Sequence, residues 1–179
     1  MTIPIISDSH GKSRKLNDIL EKLAVIGESA SELIFLGDGA TELIRNLPDG
    51  IRLYAVYGNC DSYGSALSLD IIDGEGNVVP AERIEDIGGK RIFMTHGHKY
   101  GVKSGLSHVV SRAALLGADI LLYGHTHEPY IQRIPAGSVC GDVTLSKDLH
   151  VFNPGALESG SFGVLTVRNG EVLLSHGRV

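Results

Sequence analysis

The stretch Ile3-Pro4-Ile5-Ile6-Ser7-Asp8-Ser9-His10 sets a short apolar run directly before two side chains of metal-ligand type. A β-branched run this short, bounded by polar residues, reads as a buried strand. The arrangement recurs four times further on. Residues 33–36 precede Gly37-Asp38, and residues 53–57 precede Gly58-Asn59-Cys60-Asp61. Residues 92–94 precede His96-Gly97-His98, and residues 120–123 precede Gly124-His125-Thr126-His127. Five strand ends carrying such side chains predict one shared site. In open α/β sheets that site lies beyond the carboxyl ends of the strands.

Working outward, Leu16, Ile19, Leu20 and Leu23 follow the first strand at helical spacing. Ser13 is the expected N-cap and Gly27 the expected stop. Ala40, Leu43, Ile44 and Leu47 form a second, shorter apolar face, ended by Pro48. The first third therefore reads β-α-β-α-β, which favours parallel strands. Residues 67–95 read as extended segments with turns at Asp73-Gly74, Gly76-Asn77 and Gly88-Gly89. A third helix carries Leu106, Val109, Val110 and Ala113 and stops at Gly117. Beyond residue 123 the chain reads almost entirely as β, over 130–134, 149–152, 163–167 and 172–175. Asn169-Gly170 marks a hairpin, because that pair tolerates the positive φ of a type I′ turn. Residues 136–147 read as a long hairpin or a surface loop. A β-rich second half with no linker predicts a second sheet packed on the first within a single domain, residues 1–179. The fold class is α/β, a two-sheet sandwich.

With 179 residues the chain can bury a real core. A net charge of −5 and the lack of Lys/Arg runs argue against a polyanion-binding surface. Cys60 and Cys140 form no C-x-x-C, so a disulfide framework is not expected and a reducing cytoplasm is the default. The N-terminal residues lack a signal-peptide pattern. No segment approaches the ~20 apolar residues that span a bilayer. No Gly-rich dinucleotide or P-loop fingerprint occurs.

Asp8 and His10 stand two apart at a strand end, and both can face one cation. His125 and His127 repeat that spacing. Asp38 has two oxygens and can bridge two cations; Asn59 offers a carbonyl oxygen and His96 an imidazole nitrogen. Mixed nitrogen and oxygen ligands without thiolate suit Mn, Fe, Zn, Co or Ni rather than Ca or a structural zinc. Seven ligands are too many for one ion and about right for two. Two ions roughly 3.5–4 Å apart activate water for in-line displacement at phosphorus. Each motif alone is weak, since Gly-Asp and Gly-Asn are common turn signals. Five of the eight histidines (His10, His96, His98, His125 and His127) lie in these clusters. His108, His150 and His176 do not.

The ordered set D-x-H, G-D, G-N-x-D, H-G-H, G-H-T-H resembles the calcineurin-like metallophosphoesterase superfamily. The short length and the forms G-N-C-D and T-H-G-H are similar to its small prokaryotic branch, the YfcE-type phosphodiesterases. The resemblance runs from about residue 4 to about residue 157, ending in the Asn153-Pro154-Gly155 turn. It implies a two-sheet fold with helices on the outer faces. It implies that Asp8, His10 and His127 hold one metal, that Asn59, His96 and His125 hold the other, and that Asp38 bridges. Manganese is the metal it often implies. The chain departs from the pattern in three places. Cys60 stands where many members carry a proton-donating His. Residues 136–147 exceed the short turn usual in this branch. Ala156-Leu157-Glu158 replaces a Ser- and Arg-containing end.

A thiol of ordinary pKa near 8.5 is a poor general acid. Cys60 reads equally as a small buried residue beside the site, and His98 as the better group for binding phosphate or assisting departure. Asp61 reads as orienting a neighbour or stabilising its turn. The expected function is a dimetal-dependent phosphodiesterase in which a metal-bridging hydroxide attacks in line, with His98, Asn59 and Asp38 in the reaction. Its expected partner is a small phosphodiester, with no membrane and no long nucleic acid; a homo-oligomer is compatible. The alternative is a catalytically inert protein-binding scaffold, as in the retromer subunit that resembles this branch. A single-metal amidohydrolase needs a barrel of typically ~250 residues, longer than this chain.

Overall fold

The computed structural model describes residues 1–61, 71–73, 75–168 and 170–179. β1 (Thr2–Ile6), β2 (Glu32–Phe35) and β3 (Arg52–Ala55) run parallel, separated by α1 (Lys15–Val25) and α2 (Ala40–Arg45). The chain then enters a second sheet through β4 (Glu82–Ile87), β5 (Lys90–Thr95), α3 (Ser107–Leu115), β6 (Ile120–Tyr123) and β7 (Pro129–Ile134). A small hairpin of β8 (Val139–Cys140) and β9 (Val143–Thr144) precedes β10 (Leu149–Pro154), also in the second sheet. β11 (Ser161–Arg168) and β12 (Glu171–Arg178) return to the first. The strand orders are β12-β11-β1-β2-β3 and β4-β5-β6-β10-β7. The chain thus has the two-sheet α/β architecture expected from the sequence.

Alternation along the strands explains why they read as unbroken apolar runs: both faces are covered. Ile3, Ile5, Ile34 and Leu36 of the first sheet meet Ile92, Met94, Ile120 and Leu122 of the second in a central core. Leu33 and Phe35 turn outward onto Leu16, Ile19 and Leu23 of α1 and Leu43 of α2. Phe93, Leu121 and Tyr123 turn outward onto Val109, Val110 and Ala113 of α3. The layers are therefore helix, sheet, sheet, helix.

One local detail differs from expectation. Arg14, not Ser13, occupies the N-cap of α1 and makes no side-chain cap. Ser13 Oγ instead donates to Glu42 Oε1 at 2.9 Å and accepts from Asn46 Nδ2 at 3.1 Å, tying α1 to α2. Residues 136–147 contain the β8–β9 hairpin, and Ser111 Oγ of α3 donates to the Cys140 carbonyl at 2.8 Å. The Gly88-Gly89 turn joins β4 to β5, with Ile87 opposite Lys90. The expected hairpin around residue 170 joins β11 to β12, with Arg168 opposite Glu171. Residues 67–70, Gly74 and Asn169 fall outside the described residues. Among the described residues no helix is long and apolar enough to cross a membrane.

Candidate metal centre

The parallel segments of both sheets end at one edge of the sandwich, and five connections leave from there. Asp8 and His10 follow β1, and Asp38 follows β2. Asn59 follows β3, His96 and His98 follow β5, and His125 and His127 follow β6. Five non-glycine residues among those described have positive φ: Asp8 (53°), His10 (39°), Asp38 (63°), His125 (68°) and His127 (63°). All five are expected ligands. Non-glycine residues held in this region cost of order 1–3 kcal/mol each, and such strain persists where surrounding structure enforces it. Here it turns each side chain back over the strand ends.

The side chains form three groups whose ligand atoms lie within 4.8 Å of one another: Asp8, His10 and His127; His10, Asp38 and Cys60; and Asp38, His96 and His125. Asp38 Oδ2 lies between the groups, 3.4 Å from His96 Nε2 and 3.9 Å from His10 Nε2. Asn59 Oδ1 lies 3.1 Å from His96 Nε2. His96 Nδ1 contacts the Leu36 carbonyl at 2.7 Å, which accepts its proton and turns Nε2 toward the site.

Asp8 is fully buried. Its Oδ2 accepts from Ser7 Oγ at 2.5 Å and from the His125 N–H at 3.1 Å. Its Oδ1 is buried with no hydrogen-bond partner among the described residues. Around that oxygen stand His127 Nε2 at 3.1 Å, His10 Nε2 at 3.9 Å and His96 Nε2 at 3.9 Å. A buried carboxylate oxygen without a donor, ringed by imidazole nitrogens, fits a cation. The donor set is thus suited to divalent ions.

Burial and mutual charge set the protonation of the cluster. Burial pushes the Asp8 carboxyl above its usual range, against the pull of His96, Ser7 and His127. Burial acts the same way on Asp38, but the hydrogen bond and charge of His96 and the Cys60 N–H outweigh it and hold Asp38 well below the usual carboxylate range. Burial, then the neighbouring His96 and Lys103 charges, lower His125 to about 4, so it is neutral and competent as a ligand at pH 7. His96 moves the other way: burial disfavours its charge, yet the Asp38 hydrogen bond and the Asp8 and Asp38 charges raise it.

Asp61 both orients its neighbours and stabilises its turn. Its carboxylate accepts the backbone N–H groups of Asp38, Gly39, Ala40 and Gly58 at 2.7–2.8 Å. Cys60 is exposed, not buried as one expectation had it. Partial desolvation, then the Asp38 and Asp61 carboxylates, push its thiol up to about 11. Two glycines are required by close approach. A Cβ on Gly58 would stand 2.1 Å from Asp38 Oδ1, and one on Gly124 would stand 2.0 Å from Ser7 Oγ.

Sequence reasoning missed three supporting groups. Ser7 orients Asp8. Asn153, fully buried, donates from Nδ2 to the Gly124 carbonyl at 3.0 Å and to Thr126 Oγ1 at 3.1 Å, pinning the loop that carries His125 and His127. Its place in Asn153-Pro154-Gly155 was the available signal. Glu158 contacts His127 and had been noted only as a departure from the pattern. Outside the site, His176 Nε2 bonds the Asn153 carbonyl at 2.8 Å and its ring stacks on Phe152, a structural role.

Residues 1–177 match the family model of the calcineurin-like phosphoesterase superfamily domain. The chain belongs to that superfamily. It is 31% identical over 176 residues to the probable metallophosphoesterase YsnB of Bacillus subtilis, covering 94% of this chain and 86% of that protein. It is 28% identical over 193 residues to the phosphodiesterase YfcE of Escherichia coli, covering 97% and 96%. In fold it is similar to a predicted phosphoesterase from Streptococcus pneumoniae, with a TM-score of 0.67 at 22% identity over 99% of this chain and 88% of that one. Membership of a metallophosphoesterase superfamily implies divalent ions, and the clustered His and Asp side chains provide candidate ligands.

Proposed function

We propose that this protein is a dimetal phosphodiesterase. Asp8, His10 and His127 would hold one ion and Asn59, His96 and His125 the other, with Asp38 shared between them. The observation that carries this is the orphaned, fully buried Asp8 Oδ1 ringed by imidazole nitrogens, beside an Asp38 oxygen that faces both groups. The names of the relatives YsnB and YfcE support the same chemistry. Such ions, when bound, polarise a phosphoryl oxygen and supply a nucleophile from water at neutral pH. Manganese is the proposed metal; Fe, Ni, Co and Zn suit the same donors.

The chain's own residues divide the remaining work. Asp38, held anionic, balances charge between the two sites. Asn59 directs its carbonyl oxygen inward while its Nδ2 donates to Cys60 Sγ at 3.2 Å. His98 lies beside the centre, its ring 5.4 Å from that of His96 and 6.2 Å from that of His125. Its Nδ1 is buried without a hydrogen-bond partner among the described residues. Burial, then the His96 and Lys99 charges, lower its pKa, so at pH 7 it is a neutral imidazole. In that state it orients a phosphoryl oxygen by hydrogen bonding rather than delivering a spare proton. Cys60, with its thiol near 11, is a weak acid for the leaving oxygen. Substrates whose leaving oxygen needs little protonation, such as aryl diesters, should therefore react fastest.

The test is hydrolysis of bis(p-nitrophenyl) phosphate by metal-stripped protein titrated with Mn²⁺, alongside p-nitrophenyl phosphate. Manganese-dependent diester turnover exceeding monoester turnover supports the proposal. No turnover of either ester with Mn²⁺, Ni²⁺, Co²⁺, Fe²⁺ or Zn²⁺ favours the inert scaffold. A relic scaffold site is expected to lack some ligands, whereas all seven positions here carry competent atoms.

A further inference from the structure

The stretch after Asn153-Pro154-Gly155 forms a short 3-10 turn, Leu157–Ser159, laid against the end of β1. Leu157 is fully buried beneath the first sheet with Ile6 and Phe162. Its N–H donates to the Ser7 carbonyl at 2.8 Å, and the Glu158 N–H donates to the Asp8 carbonyl at 3.2 Å. The Glu158 carbonyl accepts from Lys15 Nζ at 2.9 Å, and Ser159 Oγ donates to the Ala156 carbonyl at 2.9 Å. The backbone of Glu158 is thereby tied to the strand end that carries Asp8.

From this anchored backbone the Glu158 side chain reaches His127: Oε1 stands 3.1 Å from Nδ1. The opposite ring nitrogen, Nε2, stands 3.1 Å from the unpartnered Asp8 Oδ1. Both neighbours are carboxylates, but Asp8 belongs to a ligand group and Glu158 does not: an ion held by Asp8 would take the Nε2 lone pair and leave the ring proton on Nδ1, facing Glu158, which can only accept. His127 needs such support. Its side chain is more than a third exposed, and its backbone sits at φ 63°. Glu158 lies in none of the three ligand groups, so its contact is with the ligand rather than with the ion.

We propose that Glu158 is a positioning residue that fixes the tautomer and ring direction of His127, and so sets the affinity of the ion held by Asp8, His10 and His127; this rests on the dimetal function proposed above. Carboxylates behind ligating histidines raise ligand basicity and fix ring orientation, and their removal costs about 10–100-fold in metal affinity. An exposed ion pair with no such role adds little and orients nothing.

Two measurements on Glu158→Ala and Glu158→Gln test this. The first is the ¹H–¹⁵N spectrum of the Zn²⁺-loaded, histidine-labelled protein, which reports the protonated ring nitrogen and whether its proton is held by an acceptor. The second is calorimetric titration with Mn²⁺ or Zn²⁺, which reads each ion separately. The wild type is expected to show His127 protonated at Nδ1 and to bind two ions. Glu158→Ala is expected to lose the slowly exchanging Nδ1 proton signal of His127 and to bind one ion about 10–100-fold more weakly, with the other ion and the thermal midpoint unchanged. Glu158→Gln keeps an amide oxygen acceptor and should recover part of the loss. Unchanged affinity for both ions in Glu158→Ala overturns the role of Glu158 while leaving the dimetal centre standing. A wild type that binds fewer than two ions overturns the dimetal function, and the role of Glu158 with it.

Discussion

Replacing Asp61 by Asn asks whether one carboxylate holds the bridging aspartate in place. Oδ1 of Asp61 accepts from the Gly39 N–H at 2.7 Å and the Ala40 N–H at 2.8 Å. Oδ2 accepts from the Asp38 and Gly58 N–H groups, both at 2.8 Å. An amide keeps one of these oxygens. Its NH₂ group would face two N–H donors, so two of the four bonds become donor–donor clashes. Hydrogen bonds to a charged group contribute about 1.5–3 kcal/mol each. Asp61 is half-buried, so water restores part of the loss and the low end applies. Two bonds then amount to about 3 kcal/mol. In a domain of this size each 1 kcal/mol moves Tm by roughly 2–4 °C, so the expected fall is about 6–12 °C. Circular dichroism melting of the metal-free protein measures it without contribution from bound ions. The variant should also bind less metal, because Asp38 and the Gly58-Asn59 turn lose their common anchor. A Tm change below about 2 °C would refute the reasoning, showing that water replaces the carboxylate at no cost.

Three further outcomes are expected. Asp38→Ala and His127→Ala should each nearly abolish diester turnover and lower metal content by elemental analysis; full activity in either would remove that residue from the centre. Cys60→Ser should keep most activity, since a thiol near 11 is not the dominant acid, and a loss as large as that of Asp38→Ala would assign the thiol a chemical role. Asp119 should contribute to acid sensitivity. Burial raises its pKa, but Lys147 Nζ at 2.6 Å and the Arg91 N–H at 2.7 Å outweigh this and lower it. A depressed folded-state value means that Asp119 stabilises fully above the unfolded carboxyl value near 3.9, and that this is lost as pH falls through the folded value. Denaturant melts of Asp119→Asn should therefore differ from wild type at neutral pH and converge with it in acid; a constant difference down to pH 2 contradicts this.

Residues 33–36 and 120–123 show how much of the fold is local. Both read as buried strands because every residue is apolar, and both are covered on two faces, Leu33 and Phe35 by helices and Ile34 and Leu36 by the opposite sheet. The helical faces of α1 and α3 were legible for the same reason, since a 3.6-residue period of large apolar side chains has one stable use in a layered fold. The N-cap of α1 was not legible. Ser13 has the right chemistry for a cap, but Glu42 and Asn46, 29 and 33 residues away, compete for its hydroxyl and win. Pairing of β11 with β1 was likewise hidden, because a strand's own sequence does not name the sheet it returns to.

The sequence by itself determined the strand and helix content and named seven candidate ligands, because ligand chemistry and hydrophobic periodicity are written residue by residue. Tertiary structure alone decided how those ligands are held. Asp61 gathers backbone N–H groups from two connections, Asn153 pins a loop 29 residues away, and the turn at Leu157–Ser159 sets Glu158 against His127. All but the Gly58–Asp61 bond join segments distant in the chain. A hydrogen bond depends on distance and angle in space, and only the folded arrangement of the strands and their connections brings its donor and acceptor together.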